Sequence, residues 1–106
     1  IEVFVHDIFP PAVPTGLEAV SSGTPPQPFI DLSWAPNTES DLAGYNVYRH
    51  EEGEEPKKIN GELVKGPTYR DSAVQAGHRY WYSVSAVDLR GNESGKSAEA
   101  FETVPR

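Results

Sequence analysis

The chain has 106 residues, of which 37% are hydrophobic and 24% charged, and its nine basic and sixteen acidic side chains leave a net charge of −7. A chain of this size carries one domain with one self-sufficient core, and no apolar run approaches the roughly 20 residues that a membrane-spanning helix needs. The acidic balance repels phosphate, which argues against nucleic acid and anionic membrane surfaces as partners.

No methionine occurs at any position, the first included, so the expectation is a piece of a longer polypeptide whose signal or anchor segment lies elsewhere. Ile1, Val3 and Val5 alternate with Glu2, Phe4 and His6, and Pro10, Pro11 and Pro14 then stiffen the chain toward an extended path. Residues 1–11 therefore read as a linker or the last strand of a preceding domain, with residues 12–106 as the domain proper. A first edge strand of the same domain is the alternative. Ten prolines and nine glycines leave little room for helices. Short runs with period two lie between them. Leu17 to Val20 is the first, followed by Phe29 to Trp34, with Ile30, Leu32 and Trp34 on one face. Gly44 to Arg49 puts Tyr45 and Val47 on one side, Asn46 and Tyr48 on the other. Lys58 to Asn60 and Tyr69 to Asp71 are shorter. Tyr80 to Val87 is the longest, with Tyr80, Tyr82, Val84 and Ala86 facing one way, and Trp81, Ser83, Ser85 and Val87 the other. Ala98 to Thr103 closes the series.

Turn chemistry separates these runs at Ser21 to Pro26, Pro36-Asn37, Glu52-Gly53, Lys65-Gly66-Pro67, Ala76-Gly77 and Arg90-Gly91-Asn92. That spacing is the rhythm of an antiparallel sandwich or barrel. Asp41 to Gly44 is expected to form at most one helical turn. The class is all-β.

From Pro14 onward the chain resembles a fibronectin type III domain. Pro14-Thr15-Gly16-Leu17 fits the family's opening Pro-x-x-Leu, and Ile30, Leu32 and Trp34 followed by Pro36 fit its second strand. Gly44-Tyr45-Asn46-Val47 fits the start of the third. The most specific match runs from Val74 to Ala86 through Gly77, Tyr80, Tyr82 and Val84. There Val74 stands in place of leucine and Ala76 in place of proline, and both leave the apolar anchor and the glycine turn intact. The Val47-Tyr48-Arg49 form is similar to bacterial members, since Arg49 falls where many animal members have an inward tyrosine. The resemblance implies a seven-stranded, immunoglobulin-like antiparallel β-sandwich. Trp34, Tyr45, Val47, Tyr80, Tyr82 and Val84 would form its core, two sheets meeting across about 10 Å. Tyr80 would return its hydroxyl to the backbone between Val74 and Gly77.

Little in the sequence points to chemistry. With no cysteine, disulfides, thiolate catalysis and cysteine-held metal centres are excluded. His6, His50 and His78 have no ligand spacing and read as loop or solvent-facing histidines. No Gly-x-Ser-x-Gly elbow marks a nucleophile. Glu51, Glu52, Glu54 and Glu55 around Gly53 read as a solvated hairpin tip. Arg90-Gly91-Asn92 occupies the loop where some animal family members carry Arg-Gly-Asp, but Asn92 lacks the carboxylate, so a structural turn is expected. Asn92-Glu93-Ser94 is a glycosylation sequon that matters only in a secreted eukaryotic protein. Tyr48 and Trp81 remain, as outward aromatics on neighbouring strands, able to anchor a protein or stack on a sugar. The reading is a non-catalytic module with no metal or cofactor, a spacer or protein-interaction domain of a multidomain secreted or cell-surface protein. The alternative is an accessory module that binds carbohydrate or another ligand through Tyr48 and Trp81. The resemblance places it outside the cell or in the cell envelope, with neighbouring domains of its own chain as partners.

Overall fold

Seven strands form within residues 9–23 and 27–106, the part of the chain described by the computed structural model. The strand expected over residues 1–5 lies outside those residues. The strands are β1 (Glu18–Ser22), β2 (Phe29–Ser33), β3 (Leu42–His50), β4 (Lys57–Lys58), β5 (Thr68–Asp71), β6 (Arg79–Asp88) and β7 (Ala100–Thr103). They build a three-stranded sheet in the order β1-β2-β5 and a four-stranded sheet in the order β4-β3-β6-β7, with every pairing antiparallel. This is the all-β sandwich implied by the alternating runs, because each run has one apolar face and two such faces cover each other.

The core lies between the sheets. Ile30 and Leu32 of β2 face Tyr45 and Val47 of β3 and Tyr80, Tyr82, Val84 and Ala86 of β6, all buried. Trp34, just beyond β2, is buried too and meets the Tyr45 ring edge-on, with centroids 5.2 Å apart and planes at 73°. Tyr80 accepts a hydrogen bond at its hydroxyl from the Gln75 N–H at 2.9 Å. Gly77, at φ +84°, makes the turn between them in a region that disfavours any side chain.

Two local features differ from expectation. Asp41 to Gly44 is not a helical turn: Leu42 already pairs with Asp88, and a bulge separates Leu42 from Gly44. A Cβ at Gly44 would sit 2.8 Å from the Val64 carbonyl oxygen, so glycine is there to admit a second backbone rather than to end a helix. The side of β6 expected to face outward is also largely buried at Ser83, Ser85 and Val87. Beside β6, the chain before β7 pairs through hydroxyls. The Ser94 and Ser97 N–H groups donate to the Ala86 and Val84 carbonyls at 2.8 Å each. In return the Ala86 and Val84 N–H groups donate to Ser94 Oγ at 2.9 Å and Ser97 Oγ at 3.0 Å. Two serines thus extend the ladder where the backbone is too irregular for strand carbonyls to do so.

β1 begins, β2 ends, β3 begins and β6 ends at one pole, whereas β7 ends beside the start of β6 at the other. The chain therefore enters the sandwich at one pole and leaves it at the opposite one.

Truncating buried Trp34 leaves a large cavity beside Tyr45, so Trp34→Ala is expected to cost about 3–5 kcal/mol in denaturant unfolding. Tyr80→Phe keeps the ring and removes only the acceptor of Gln75, and the same titration should show a loss of about 1 kcal/mol with the fold retained. Unchanged midpoints for both variants would contradict this packing.

Candidate interaction surface

The outer face of the four-stranded sheet carries both aromatics singled out from the sequence. His50 of β3 lies opposite Trp81 of β6, which lies opposite Phe101 of β7. Tyr48 is opposite Ser83, one pair along on the same face, so Tyr48 and Trp81 are diagonal neighbours.

Each ring has a partner on the sheet itself. The His50 ring stacks on Trp81 at 5.5 Å with an interplanar angle of 11°. Phe101 leans against Trp81 from β7 at 6.1 Å and 39°. The Arg79 guanidinium lies 5.4 Å from the Phe101 centroid, and the Lys96 ammonium 4.5 Å from the Tyr48 centroid. Trp81 is half-buried in this row, while Phe101 is 58% exposed. Phe101 and His50 extend the surface beyond the two residues chosen from sequence. Period-two alternation across Ala98 to Thr103 puts Phe101 on a face, but only the register of β6 with β7 brings it to Trp81.

Beside the rings sits a polar cluster centred on Glu93. One of its carboxylate oxygens accepts from the Tyr48 and Ser85 hydroxyls and from Asn46 Nδ2, the last at 3.3 Å. Burial alone would push the Glu93 carboxyl up, but these bonds from Ser85, Tyr48 and Asn46 outweigh it and hold the carboxyl below its usual range. Burial and the Glu93 carboxylate together raise the Tyr48 hydroxyl. Tyr48 is thus fastened at its hydroxyl and covered on one face of its ring.

His50 and His78 are not simply the loop or solvent-facing histidines expected from the sequence, and His6 lies outside the described residues. His50 places Nε2 2.6 Å from Glu99 Oε2 and Nδ1 2.9 Å from the Glu51 carbonyl oxygen, and His78 Nδ1 lies 2.8 Å from Glu51 Oε1. Strand pairing brings together groups 49 and 27 residues apart, which spacing along the chain does not reveal. The Glu51 carbonyl contributes most to raising the His50 pKa, burial opposes it, and Glu99 adds to it. Among the described residues no group of three or more His, Cys, Asp or Glu is placed to hold a metal ion. At the opposite end of β6, the buried Asp88 carboxylate accepts from the Arg90 and Asn92 N–H groups at 2.9 Å each and from Asn92 Nδ2 at 3.0 Å. Arg90-Gly91-Asn92 is accordingly a turn capped by Asp88, and Gly91 sits at φ +88° within it.

No family model matches the chain. An amylopullulanase of Thermoanaerobacterium saccharolyticum is 41% identical over 96 residues, which make up 89% of this chain and 7% of that protein. A poly(3-hydroxybutyrate) depolymerase of Ralstonia pickettii is 37% identical over 95 residues, 87% of this chain and 16% of that one. The chain thus spans a small part of these curated relatives. Among solved structures, an Fn3-like protein from Clostridium thermocellum superposes with a TM-score of 0.74 at 34% identity, covering 91% of this chain and 95% of that one.

The raised His50 pKa fixes a pH dependence. A group charged more readily in the folded state contributes in full below its ordinary value of 6.5, and that contribution is lost as pH rises through the raised folded value. The melting temperature of wild type relative to His50→Gln should therefore be higher at pH 5.5–6 and converge toward that of the variant above neutrality. Taking the difference removes every pH effect that the two proteins share.

Proposed function

The chain belongs to the fibronectin type III family, and on that basis we propose that it is a non-catalytic spacer and interaction module of a multidomain protein exported from the cell or held in its envelope. Its partners are the neighbouring domains of its own polypeptide. The observation that carries this reading is the pair of relatives: the same stretch of chain recurs as a minor part of one protein named for a polysaccharide and another named for a polyester. A module selected to grip one polymer has no common target in both, whereas a module that sets the separation and direction of other domains serves either.

The geometry of the outer aromatics supports the same reading. Stacking on a sugar needs an open ring face, and Trp81 has His50 on one face and Phe101 leaning against it, while Lys96 lies over Tyr48. The exposed Phe101 is the observation that favours the alternative, a ligand-binding accessory module on this sheet.

Sedimentation of the purified chain with insoluble starch, cellulose and poly(3-hydroxybutyrate) separates the two. The spacer reading expects the chain to stay in the supernatant with all three. Retention on one polymer, abolished by Trp81→Ala or Phe101→Ala without loss of fold, would establish the binding module instead.

A further inference from the structure

Among the described residues β1 and β7 are edge strands, each paired on one side only, and they run beside one another along one flank of the sandwich. N–H groups alternate in direction along a strand. The Val104 N–H turns toward β6 and donates to the His78 carbonyl at 2.9 Å, so the Thr103 N–H before it faces the open edge. On β1 the Ser21 N–H faces the same flank. Glu102 takes both. Its Oε2 accepts from the Ser21 N–H and its Oε1 from the Thr103 N–H, at 3.2 Å each.

The position is an unusual one for a carboxylate. Glu102 lies opposite core Tyr80, so it shares the inward face of β7 with half-buried Ala100 and, just beyond the strand, buried Val104. Period two reserves such a position for an apolar side chain, and a carboxylate forgoes the burial that a valine would gain there. Two exposed apolar side chains flank it, Phe101 beside Glu102 and Val20 beside Ser21, the latter 54% exposed. A strand added to either edge would cover part of them, which makes the open flank attractive to a partner.

We propose that Glu102 is a guard against self-association: it closes the neighbouring edges of β1 and β7 and keeps a second copy of this chain from joining β7 edge to edge. The register shows how. Within Ala100–Thr103 the residues whose backbone faces the open edge are Phe101 and Thr103. An antiparallel two-fold pairing that uses both sets Phe101 against Thr103 of the second copy. That register brings the two Glu102 residues directly opposite one another, about 4.5 Å apart between Cα atoms, with both carboxylates on the inward side. Like charges so placed repel, and each would also have to release Ser21. With an apolar residue at 102 the repulsion is gone, and the same register covers part of both Phe101 rings. The spacer reading makes no use of this flank, so the two stand or fall separately.

Sedimentation velocity of the 106-residue chain at about 0.1 mM tests the guard. Wild type should run as a monomer, as should Glu55→Val, which removes an equal charge from the exposed hairpin tip. Glu102→Val should about double in mass, and amide exchange at Phe101 and Thr103 should slow by about tenfold as it associates. Adding Thr103→Pro should return it to a monomer, because proline blocks the open edge and removes no bond to β6. Glu102→Gln keeps the length and one acceptor oxygen of the side chain, and it too should gain mass, which decides the matter if Glu102→Val does not fold. A folded Glu102→Val or Glu102→Gln that stays monomeric overturns the proposal. So does a dimer that Thr103→Pro leaves intact, or equal association of wild type or Glu55→Val.

Discussion

The two sheets are held in one relative position by a buried carboxylate. Asp71 of β5, on the three-stranded sheet, is 4% exposed and points across to the four-stranded sheet. There its Oδ2 accepts from the Tyr82 hydroxyl at 2.7 Å and from Arg49 Nη1 at 2.8 Å, while Oδ1 accepts from the Ala73 N–H at 3.1 Å. Arg49 follows Tyr45 and Val47 on the inward side of β3, and its guanidinium lies 5.3 Å from the Tyr80 centroid. Burial above all, and then Asp71, drives the Tyr82 hydroxyl far above its ordinary pKa, so it stays a donor to the carboxylate. Apolar packing tolerates some sliding of one sheet over the other, but two inward charges do not, because a slip would strand each in the core at a cost of about 3–5 kcal/mol. The hydrophobic faces bring the sheets together, and Asp71 and Arg49 then select the single offset at which they stay.

That offset governs what the sequence could and could not disclose. Tyr45, Val47, Tyr82 and Val84 were legible because period two assigns a face to each residue without knowing which strands are neighbours. The corner at Gly77 and Tyr80 was legible because the residues that make it lie within six positions of one another. The Arg49–Asp71 pair was not, since its members lie 22 residues apart on opposite sheets and meet only once the order β1-β2-β5 faces β4-β3-β6-β7. Arg49 looked like a local departure from a family pattern; the fold makes it half of the tie between the sheets. The same limit hid Phe101 from Trp81 and Glu99 from His50, because both contacts depend on where β7 and the chain before it come to lie. Asp41 to Gly44 misled for a different reason. Its glycine answers to the Val64 backbone, a neighbour remote in sequence, and no local propensity encodes that approach.

The outer sheet face shows how a residue type can mislead about role. A tryptophan and a tyrosine on neighbouring strands suggest a flat platform, but His50 and Phe101 lie against Trp81 from the adjacent strands and Lys96 lies over Tyr48. His50, Trp81 and Phe101 form a row in which His50 stacks face to face on Trp81 and Phe101 leans against it, and the area they bury belongs to the sheet. Such a row stabilises pairing between β3, β6 and β7 along the long strands that carry most of the core. Glu93 does the same for Tyr48 through hydrogen bonds. Much of this surface's aromatic content is thereby spent within the module, and what remains open is mainly Phe101.

A module that transmits position needs stiffness at its ends more than chemistry on its faces. The exit is secured by backbone bonds, with the Gly77 N–H donating to the Val104 carbonyl at 2.8 Å and the Val104 N–H to the His78 carbonyl at 2.9 Å, and by Arg79 Nε donating to Thr103 Oγ1 at 2.8 Å. The entrance has side chains from the loop between β2 and β3 in the corresponding role, and that loop is pinned through Tyr45 to Trp34 in the core. Both ends are thus tied to the same packed interior, one through the corner below Tyr80 and the other through the Trp34–Tyr45 contact. A force or a rotation applied at either end reaches the other through close-packed side chains with little slack. The residues that close the sandwich are therefore also the residues through which it would hold two neighbours at a fixed separation, and no separate active constellation is needed for that task.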